Sequence, residues 1–421
     1  MSDALTRPLP PDTVVAVLDI GSAKICCLIG RVNADGLIQV IGIGHRMCRG
    51  LQSGVVVDRD AAERAIRASV DQAERMAGLT VSQVLVSVNM PELRSDIVEV
   101  EIAPRDRRVT ESTVDQLIAE ARRAVLPHDD PILHSFPAAY GLDGRFATRP
   151  PIGLFGDRLG LALHVLRAPA APLRNLETCV RRAHLDVAGF VAAGYAAGQA
   201  VLVADERELG AACIDIGAGI TALSVWTGGT MVHLETLDCG GRRLTETVAR
   251  QLGCPVEAAE RIKTLHGVAA EPLCSEREQI AVPDLDPRVQ DPRHVPRRAL
   301  AAALRPPLTE LFEALRARLA EAGLDHDASG RVVLTGGAAQ LQGIDDLAQA
   351  ILERPVRIGR PRRVLGLAEA AQTPCFAAAA GLLLHAVEAP EDLFGQSPSR
   401  PGQPGRTTPF RAISRWLIDH F

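Results

Sequence analysis

One short pattern occurs in both halves of the chain: an apolar strand that ends in Asp-Ile-Gly and is followed by a second strand. The first copy is Val17–Ser22 and the second is Cys213–Gly219. The runs at 25–30 and 221–226 return as the second strand of each hairpin. Glycine turns the chain tightly and leaves backbone N–H groups free to face an anion. The repeat predicts a duplicated phosphate-binding loop.

Two such hairpins that faced each other would clamp a triphosphate from both sides. Asp19 and Asp215 would hold a hydrated Mg²⁺, and Lys24 would neutralise phosphate charge. A single Asp-Ile-Gly is a common strand exit, so one copy alone fits a plain hairpin as well; the second copy favours phosphate binding. The predicted phosphate and magnesium residues are Asp19, Gly21, Ser22, Lys24, Asp215, Gly217, Gly219 and Thr221.

A third element lies near the C-terminal end of the core. The buried-type strand at 331–335 runs into Gly336-Gly337 and then a predicted helix from Leu341 to Leu352. The glycines would let the backbone approach an adenine ring, although a plain strand-to-helix turn is the alternative. Two phosphate loops followed by a Gly-Gly loop resemble the actin, Hsp70 and sugar-kinase ATPase superfamily. The resemblance implies an α/β fold of duplicated actin-like (ribonuclease H-like) domains that binds ATP with Mg²⁺.

Composition fits this interpretation and excludes several others. A chain of 421 residues, 47% of them hydrophobic, can fill two or more sizeable cores. A net charge of −5 gives no nucleic-acid signature. The nine cysteines form no C-x-x-C pairs, which indicates neither a disulfide framework nor a zinc site, and favours a reducing cytoplasm. No apolar run reaches the roughly 18 residues of a spanning helix.

Changes in texture along the chain predict its division into units. Helices and strands alternate, and two stretches interrupt the alternation, which predicts an inserted subdomain in each half. The predicted units are a disordered N-terminus (1–12), a first core domain (13–90 and 166–203), an inserted subdomain (91–165), a second core domain (204–229 and 308–388), a second inserted subdomain (230–307), a flexible linker (389–409) and an amphipathic helix (410–421).

The final residues favour a membrane contact. The Pro- and Gly-rich linker cannot bury a core. On the helix that follows, apolar side chains share one stripe and arginines lie opposite, which is typical of an interfacial helix on anionic lipids. A terminal helix docked on its own core is the alternative. So short a helix would bind weakly alone, which suggests a polymer or oligomer. The predicted membrane residues are Phe410, Ile413, Trp416, Leu417, Phe421, Arg411 and Arg415.

These features together resemble the FtsA family of bacterial division proteins. The resemblance covers nearly the whole chain and is close at 18–24, 134–144, 151–154, 205–210, 259–267, 333–339 and 355–359. It implies an adaptor that polymerises at the cytoplasmic face of the inner membrane and tethers FtsZ filaments at the division site. A PilM-like peptide-binding actin homologue and a sugar-kinase-type phosphotransferase are the alternatives.

The resemblance also implies roles for particular residues. Glu260 and Lys263 would contact the ribose and base, with an exposed i,i+3 ion pair as the alternative. The FtsZ C-terminal peptide would bind a basic edge beside apolar residues 299–304, where a solvated helix end is the alternative. The implied adenosine residues are Gly240, Gly241, Glu260, Lys263, Gly336 and Gly337, and the implied peptide residues are Arg293, Arg297 and Arg298.

Two departures from the superfamily pattern bear on hydrolysis. The polar side chain that positions the attacking water is matched here by Ala138, and the usual Thr-Thr-Asp after the second phosphate loop is Ile220-Thr221-Ala222. Orienting water is a large part of catalysis of phosphoryl transfer to water. We therefore expect nucleotide binding with slow or negligible hydrolysis.

Overall fold

The computed structural model describes residues 9–126, 130–275, 277–286, 288–289, 291–321, 330–388 and 392–394. The strands are β1 (Val14–Ile20), β2 (Lys24–Val32), β3 (Ile38–Met47), β4 (Leu51–Gln52), β5 (Val55–Val56), β6 (Gln83–Val88), β7 (Arg94–Ile102), β8 (Ile132–Leu142), β9 (Arg145–Ala147), β10 (Leu159–Arg167), β11 (Asp186–Ala192), β12 (Ala211–Ile216), β13 (Thr221–Thr227), β14 (Thr230–Leu237), β15 (Gln279–Val282), β16 (Arg293–Pro296), β17 (Arg331–Thr335) and β18 (Val356–Ile358). The helices are α1 (Arg59–Ala77), α2 (Glu111–Val125), α3 (Ala170–Arg182), α4 (Ala193–Val201), α5 (Ala204–Leu209), α6 (Gly241–Leu252), α7 (Val256–His266), α8 (Arg297–Glu321), α9 (Ile344–Leu352) and α10 (Ala377–Glu388).

Two five-stranded sheets share one topology. The first has the order β11-β6-β1-β2-β3 and the second β14-β13-β12-β17-β18. In each, the leading strand (β1 or β12) forms an antiparallel meander with the two strands that follow it and pairs in parallel with a later strand (β6 or β17). The leading strands are almost wholly apolar, as strands covered on both faces are. The sequence repeat therefore corresponds to a structural repeat, with Asp19 and Asp215 near the equivalent strand ends.

The first inserted region is a separate small sheet. Its order is β7-β10-β8-β9, all antiparallel, and α2 packs against β7 and β10 around its own apolar cluster. Thr110 caps α2, since its hydroxyl oxygen accepts a hydrogen bond from the Thr113 N–H at 3.2 Å. Strands β7 and β8 also contact β14, so this sheet packs against the second core sheet.

One predicted unit boundary falls in the turn of a strand hairpin and another falls inside a helix. The boundary at 229/230 lies in the turn between β13 and β14, which pair in the second core sheet. The boundary at 307/308 lies within α8, whose buried residues include Leu304 and Leu308. The first and last residues of the region 230–307 therefore pack with the second core. The sequence predicted this whole region as an inserted subdomain because its composition changes there.

Residues near both ends of the described chain contact the rest of the fold, at positions where the sequence predicts a disordered N-terminus and a flexible linker. The Asp12 N–H donates to the Val32 carbonyl at 2.8 Å, and Leu9 packs against the first core. Residues 392–394, inside the predicted linker, are docked on β8, where the Leu393 N–H donates to the Ser135 carbonyl at 3.0 Å. Average composition over some twenty residues does not reveal contacts made by a segment of three or four. The amphipathic helix predicted at 410–421 lies outside the described residues.

Helices α4 and α10 pack unusually closely in the first core. A Cβ atom on Gly381 of α10 would lie 1.7 Å from the backbone oxygen of Ala196 in α4. Both helices are almost entirely buried. Glycine at this position therefore sets how near the two backbones can come, and α4 begins where β11 ends.

We expect Gly381→Ala to lower the free energy of unfolding by about 1–3 kcal/mol, because the backbone of α4 must move to admit the methyl group. Gly337→Ala is the control, since a Cβ there meets nothing within 4 Å. Urea denaturation of both variants measures the effect. Equal stability of the two would contradict the close packing.

Candidate functional site

The two Asp-Ile-Gly turns face each other across a cavity of about 470 Å³. They approach so closely that a Cβ on Gly219 would lie 2.9 Å from the Ser22 hydroxyl oxygen. The Ser22 hydroxyl in turn accepts a hydrogen bond from the Gly54 N–H at 2.9 Å. Cavities of this size hold drug-sized ligands and cofactors. The two predicted loops therefore do face each other in the structure.

Both turns close with the same hydrogen bond. The Gly21 N–H donates to the Lys24 carbonyl at 3.0 Å, and the Gly217 N–H donates to the Ile220 carbonyl at 2.9 Å. A Cβ on either glycine would press on that same carbonyl, at 3.0 Å and 2.9 Å. The tight hairpin therefore requires glycine at both positions.

Two carboxylates line this cavity: Asp215 is buried and Asp19 is half-buried. Asp19 accepts a hydrogen bond from the Ser87 hydroxyl at 2.8 Å. Burial raises the pKa of Asp19, against the opposing effects of Ser87 and Lys24. Burial, and then the charge of Asp19, raise the pKa of Asp215 to about 7, with Lys24 opposing. Two carboxylates that repel each other favour a cation near them.

The donor set fits a hydrated Mg²⁺. Magnesium keeps several waters and takes one or two carboxylates together with phosphate oxygens. Asp19 and Asp215 supply that number, and within the described ranges the structure has no cluster of three or more His, Cys, Asp or Glu that could hold a metal by itself. The Gly-Gly loop closes this side of the cavity, since a Cβ on Gly336 would lie 2.4 Å from a carboxylate oxygen of Asp215.

Two buried polar atoms at the cavity lack a hydrogen-bond partner among the described residues. They are the Lys24 ammonium nitrogen and the Asn89 side-chain oxygen. The Lys24 nitrogen lies 3.5 Å from the centroid of the Phe376 ring, a cation–π contact. A buried polar group without a partner costs about 1–3 kcal/mol. A ligand that offers an acceptor to Lys24 and a donor to Asn89 would remove this cost.

The opposite wall carries the predicted adenosine residues. The Lys263 ammonium donates to the Gly241 carbonyl at 2.9 Å, the Thr245 hydroxyl at 2.7 Å and the Glu260 carboxylate at 2.7 Å. Burial lowers the pKa of Lys263, and Glu260 opposes that shift. The i,i+3 ion pair is present, and both members line the cavity. The pair differs from the exposed ion pair of the alternative, because Lys263 is buried while Glu260 is exposed, and its contact with a nucleotide stays a prediction.

Of the predicted phosphate and adenosine residues, all but two line the cavity. Thr221 and Gly240 are absent from the lining: the Thr221 hydroxyl donates to the Cys239 carbonyl at 2.8 Å, and a Cβ on Gly240 would meet the Gly217 carbonyl at 2.6 Å. Both support the second turn from behind. The predicted residues in the lining are Asp19, Gly21, Ser22, Lys24, Asp215, Gly217, Gly219, Gly241, Glu260, Lys263, Gly336 and Gly337.

The placement of the water-positioning residue is a correction. Ala138 lies in β8, buried in an apolar cluster and outside the cavity lining. The cavity wall instead contains Ala193, at the point where β11 passes into α4, and Asn89, just after β6. Strand β8 belongs to the inserted sheet, and none of its residues lines the cavity. No motif marked Asn89 or Ala193, because their place depends on where parallel strands of the first sheet end.

The predicted peptide-binding arginines lie elsewhere on the surface. Arg297 donates to the His266 carbonyl at 2.8 Å and to Glu278 at 3.0 Å. Arg293 donates to the Gly253 carbonyl at 3.2 Å, and Arg298 is exposed. The neighbouring apolar residues Leu300, Ala301, Ala303 and Leu304 are buried in the core and form no surface beside the arginines.

The predicted membrane residues at 410–421 are beyond the described part of the chain. In the part that is described, no helix combines the length and the apolar character needed to cross a bilayer.

Comparison with known proteins gives consistent results. Residues 212–381 match the family model of cell division protein FtsA, and residues 91–167 match the SHS2 domain inserted in FtsA. The chain is 41% identical to cell division protein FtsA of Rhizobium meliloti, over 99% of this chain and 97% of that protein.

Solved structures share the fold at low identity. The PilM-PilN type IV pilus biogenesis complex matches with a TM-score of 0.64 at 19% identity, covering 90% of this chain and all of the matched chain. MreB5 of Spiroplasma citri bound to ADP matches with a TM-score of 0.54 at 14% identity, covering 89% and 97%. The predicted actin-like α/β fold with an inserted subdomain is confirmed.

We expect Asp215→Asn to stabilise the chain without added ligand above pH 7. The pKa of Asp215 in the folded protein, about 7, lies above its ordinary value of 3.8, so the folded state holds this proton more tightly than the unfolded state does. The stability of the parent protein therefore falls as the pH rises from about 4 to about 7. The variant should gain on the order of 2–4 kcal/mol at pH 8 and little near pH 4.

Urea denaturation across this pH range measures the difference. Asp71→Asn, on the exposed side of α1, is the matched control and should follow the parent. A gain of equal size at pH 4 and pH 8 would show that Asp215 is not the group whose charge is disfavoured.

Proposed function

The chain belongs to the FtsA family of bacterial cell-division proteins, and from this premise we propose that it is an actin-like, ATP-binding membrane adaptor. It polymerises at the cytoplasmic face of the inner membrane and tethers FtsZ filaments at the division site. The observation that carries the proposal is the pair of glycine turns that face each other beside two carboxylates. This arrangement suits a nucleoside triphosphate with a divalent cation.

Each part of the nucleotide has a partner in the cavity. Backbone N–H groups of the two turns and the Lys24 ammonium meet the phosphates. Asp19 and Asp215 hold Mg²⁺ through water, and the ion supplies charge neutralisation at the phosphates. The adenosine lies between Gly336-Gly337 and the Glu260–Lys263 pair. MreB5 of Spiroplasma citri, which shares the fold, has been solved bound to ADP, and this supports nucleotide binding here.

Hydrolysis by this site is slow or negligible. A polar side chain beside the phosphates must orient the attacking water. Ala193, at the start of α4, has none. The Asn89 amide can orient a water molecule but is not a general base, so it supports at most slow hydrolysis. The nucleotide therefore serves mainly to hold the two halves of the molecule in one arrangement, which favours assembly into a filament.

Attachment to the membrane and to FtsZ uses other parts of the chain. The apolar stripe of residues 410–421 enters the acyl boundary while Arg411 and Arg415 meet anionic headgroups. One short helix binds weakly, and a filament multiplies the contact. The acidic FtsZ peptide binds near the exposed Arg298, because Arg293 and Arg297 already hold neighbouring carbonyl and carboxylate groups.

We expect Lys24→Ala to weaken binding of a fluorescent ATP analogue at least about tenfold, since a buried charge-assisted contact to phosphate is lost. Arg31→Ala, an exposed cation on the same strand, is the control and should leave the affinity unchanged. Titration with and without Mg²⁺ measures both. If the two variants bind equally well, the phosphates do not lie at Lys24.

We expect a chain ending at Pro409 to remain in the supernatant when anionic liposomes are sedimented, while the full chain pellets and carries FtsZ with it. The apolar stripe accounts for the difference, so Ile413→Glu in the full chain should act like the truncation. Mg-ATP should strengthen pelleting of the full chain.

The rival functions give different results in the same assay. Pelleting of the truncated chain would locate the membrane contact outside 410–421. Consumption of ATP by a small-molecule phosphate acceptor would favour a kinase. Liposome binding that never recruits FtsZ would favour a PilM-like assembly protein.

A further inference from the structure

A short acidic and apolar segment of the tail, Asp392–Phe394, is docked on the first inserted sheet. The Asp392 carboxylate accepts hydrogen bonds from the Ser135 N–H at 2.9 Å and the Ser135 hydroxyl at 2.8 Å. The Leu393 N–H donates to the Ser135 carbonyl at 3.0 Å, and the Phe394 N–H donates to the Ser135 hydroxyl oxygen at 2.6 Å. One residue of β8 thus binds all three members of the segment.

Apolar contacts complete this docking site. Leu393 and Phe394 pack against the apolar cluster under α2, which includes Leu117 and Leu161. The Phe394 ring centre lies 5.9 Å from the Arg122 guanidinium carbon. A carboxylate held by several donors and followed by two apolar side chains makes a specific site, not a chance surface contact.

His134, beside Ser135, connects this docking site to the cavity wall. Its ring is almost fully buried and lies 4.8 Å, centre to centre, from the Tyr195 ring of α4. Its Nε2 atom accepts a hydrogen bond from the Ala192 N–H at 3.0 Å, and its Nδ1 atom lies 3.1 Å from the Asp392 carboxylate. Ala192 caps α4, and the next residue, Ala193, lines the cavity.

The hydrogen bonds fix the tautomer of His134. Because the Ala192 N–H must donate, Nε2 carries no proton, and the neutral ring therefore carries its proton on Nδ1 and donates it to Asp392. Without Asp392, this buried N–H would lose its acceptor. The ring would then either turn away or move its proton to Nε2, where it would oppose the Ala192 N–H.

We propose that Asp392–Phe394 is a latch whose docking on the first inserted sheet is coupled to occupancy of the nucleotide cavity. The docked carboxylate holds His134, and His134 holds the start of α4 where it meets the phosphates. Nucleotide and latch then favour the same arrangement, so each strengthens the binding of the other by the same factor. This inference rests on the proposed binding of nucleotide.

The first experiment measures the coupling from the nucleotide side. In the full chain, Asp392→Asn should weaken binding of a fluorescent ATP analogue about fivefold or more. Asp115→Asn, an exposed carboxylate on α2 of the same inserted subdomain, is the matched control and should bind like the parent. Failure of the parent itself to bind the analogue would overturn the proposed function and the coupling together. An unchanged affinity in Asp392→Asn would overturn the coupling alone.

The second experiment measures the coupling from the tail. Hydrogen exchange at the Leu393 and Phe394 amides should slow when ATP is added to the parent. Phe394→Ala should speed exchange at Leu393, and Phe155→Ala, an exposed phenylalanine of the same subdomain, should not. Chains ending at Pro390 and Pro409 separate the latch from the terminal helix, and only the shorter should lose affinity for the analogue. Equal affinities of these two chains for the analogue would refute the latch. Exchange rates at Leu393 and Phe394 that do not change when ATP is added would refute it as well.

Discussion

The structure depends on two carboxylates, Asp19 and Asp215, that end equivalent strands and meet across one cavity. Burial raises the pKa of both groups, and the charge of Asp19 raises that of Asp215 further, so keeping both ionised costs free energy. No packing advantage requires this pair, because an amide would fit the same space. The pair is explained by a cation and a polyanion that bind between the halves. A duplicated fold puts the two groups at equivalent strand ends without any further device.

Glycine converts that electrostatic arrangement into a narrow cavity. Gly219 brings the second turn onto Ser22 of the first, and Gly336 brings the third loop onto Asp215. A side chain at either position would push the two walls apart. A ligand that fills the gap therefore contacts both halves at once, so its binding free energy also fixes their relative position. This is how a site with little catalytic equipment can still control assembly.

The sequence predicted those parts of the site that local patterning encodes. A strand exit with Asp-Ile-Gly has its own turn chemistry, and the helical spacing of Glu260 and Lys263 put them on one face. Asn89, Ala193 and the supporting role of Thr221 were not predicted, because they depend on which strands lie side by side and where each one ends. The error over Ala138 has the same origin: the superfamily pattern matched a position along the chain, whereas β8 pairs in the inserted sheet and Ala138 lies outside the cavity lining.

The docking of residues 392–394 also could not be predicted from average composition, and it depends on specific hydrogen bonds and apolar contacts. Residues 389–409 are rich in proline, glycine and serine, and that average conceals one acceptor followed by two apolar side chains. A segment this short docks only where a prepared surface offers donors and an apolar cluster together, as Ser135 and the core under α2 do. His134 then lies between that surface and Ala192 with both ring nitrogens in use. Because a neutral imidazole has a single proton to place, a change at one nitrogen must be felt at the other, which makes this residue the natural link between tail and cavity.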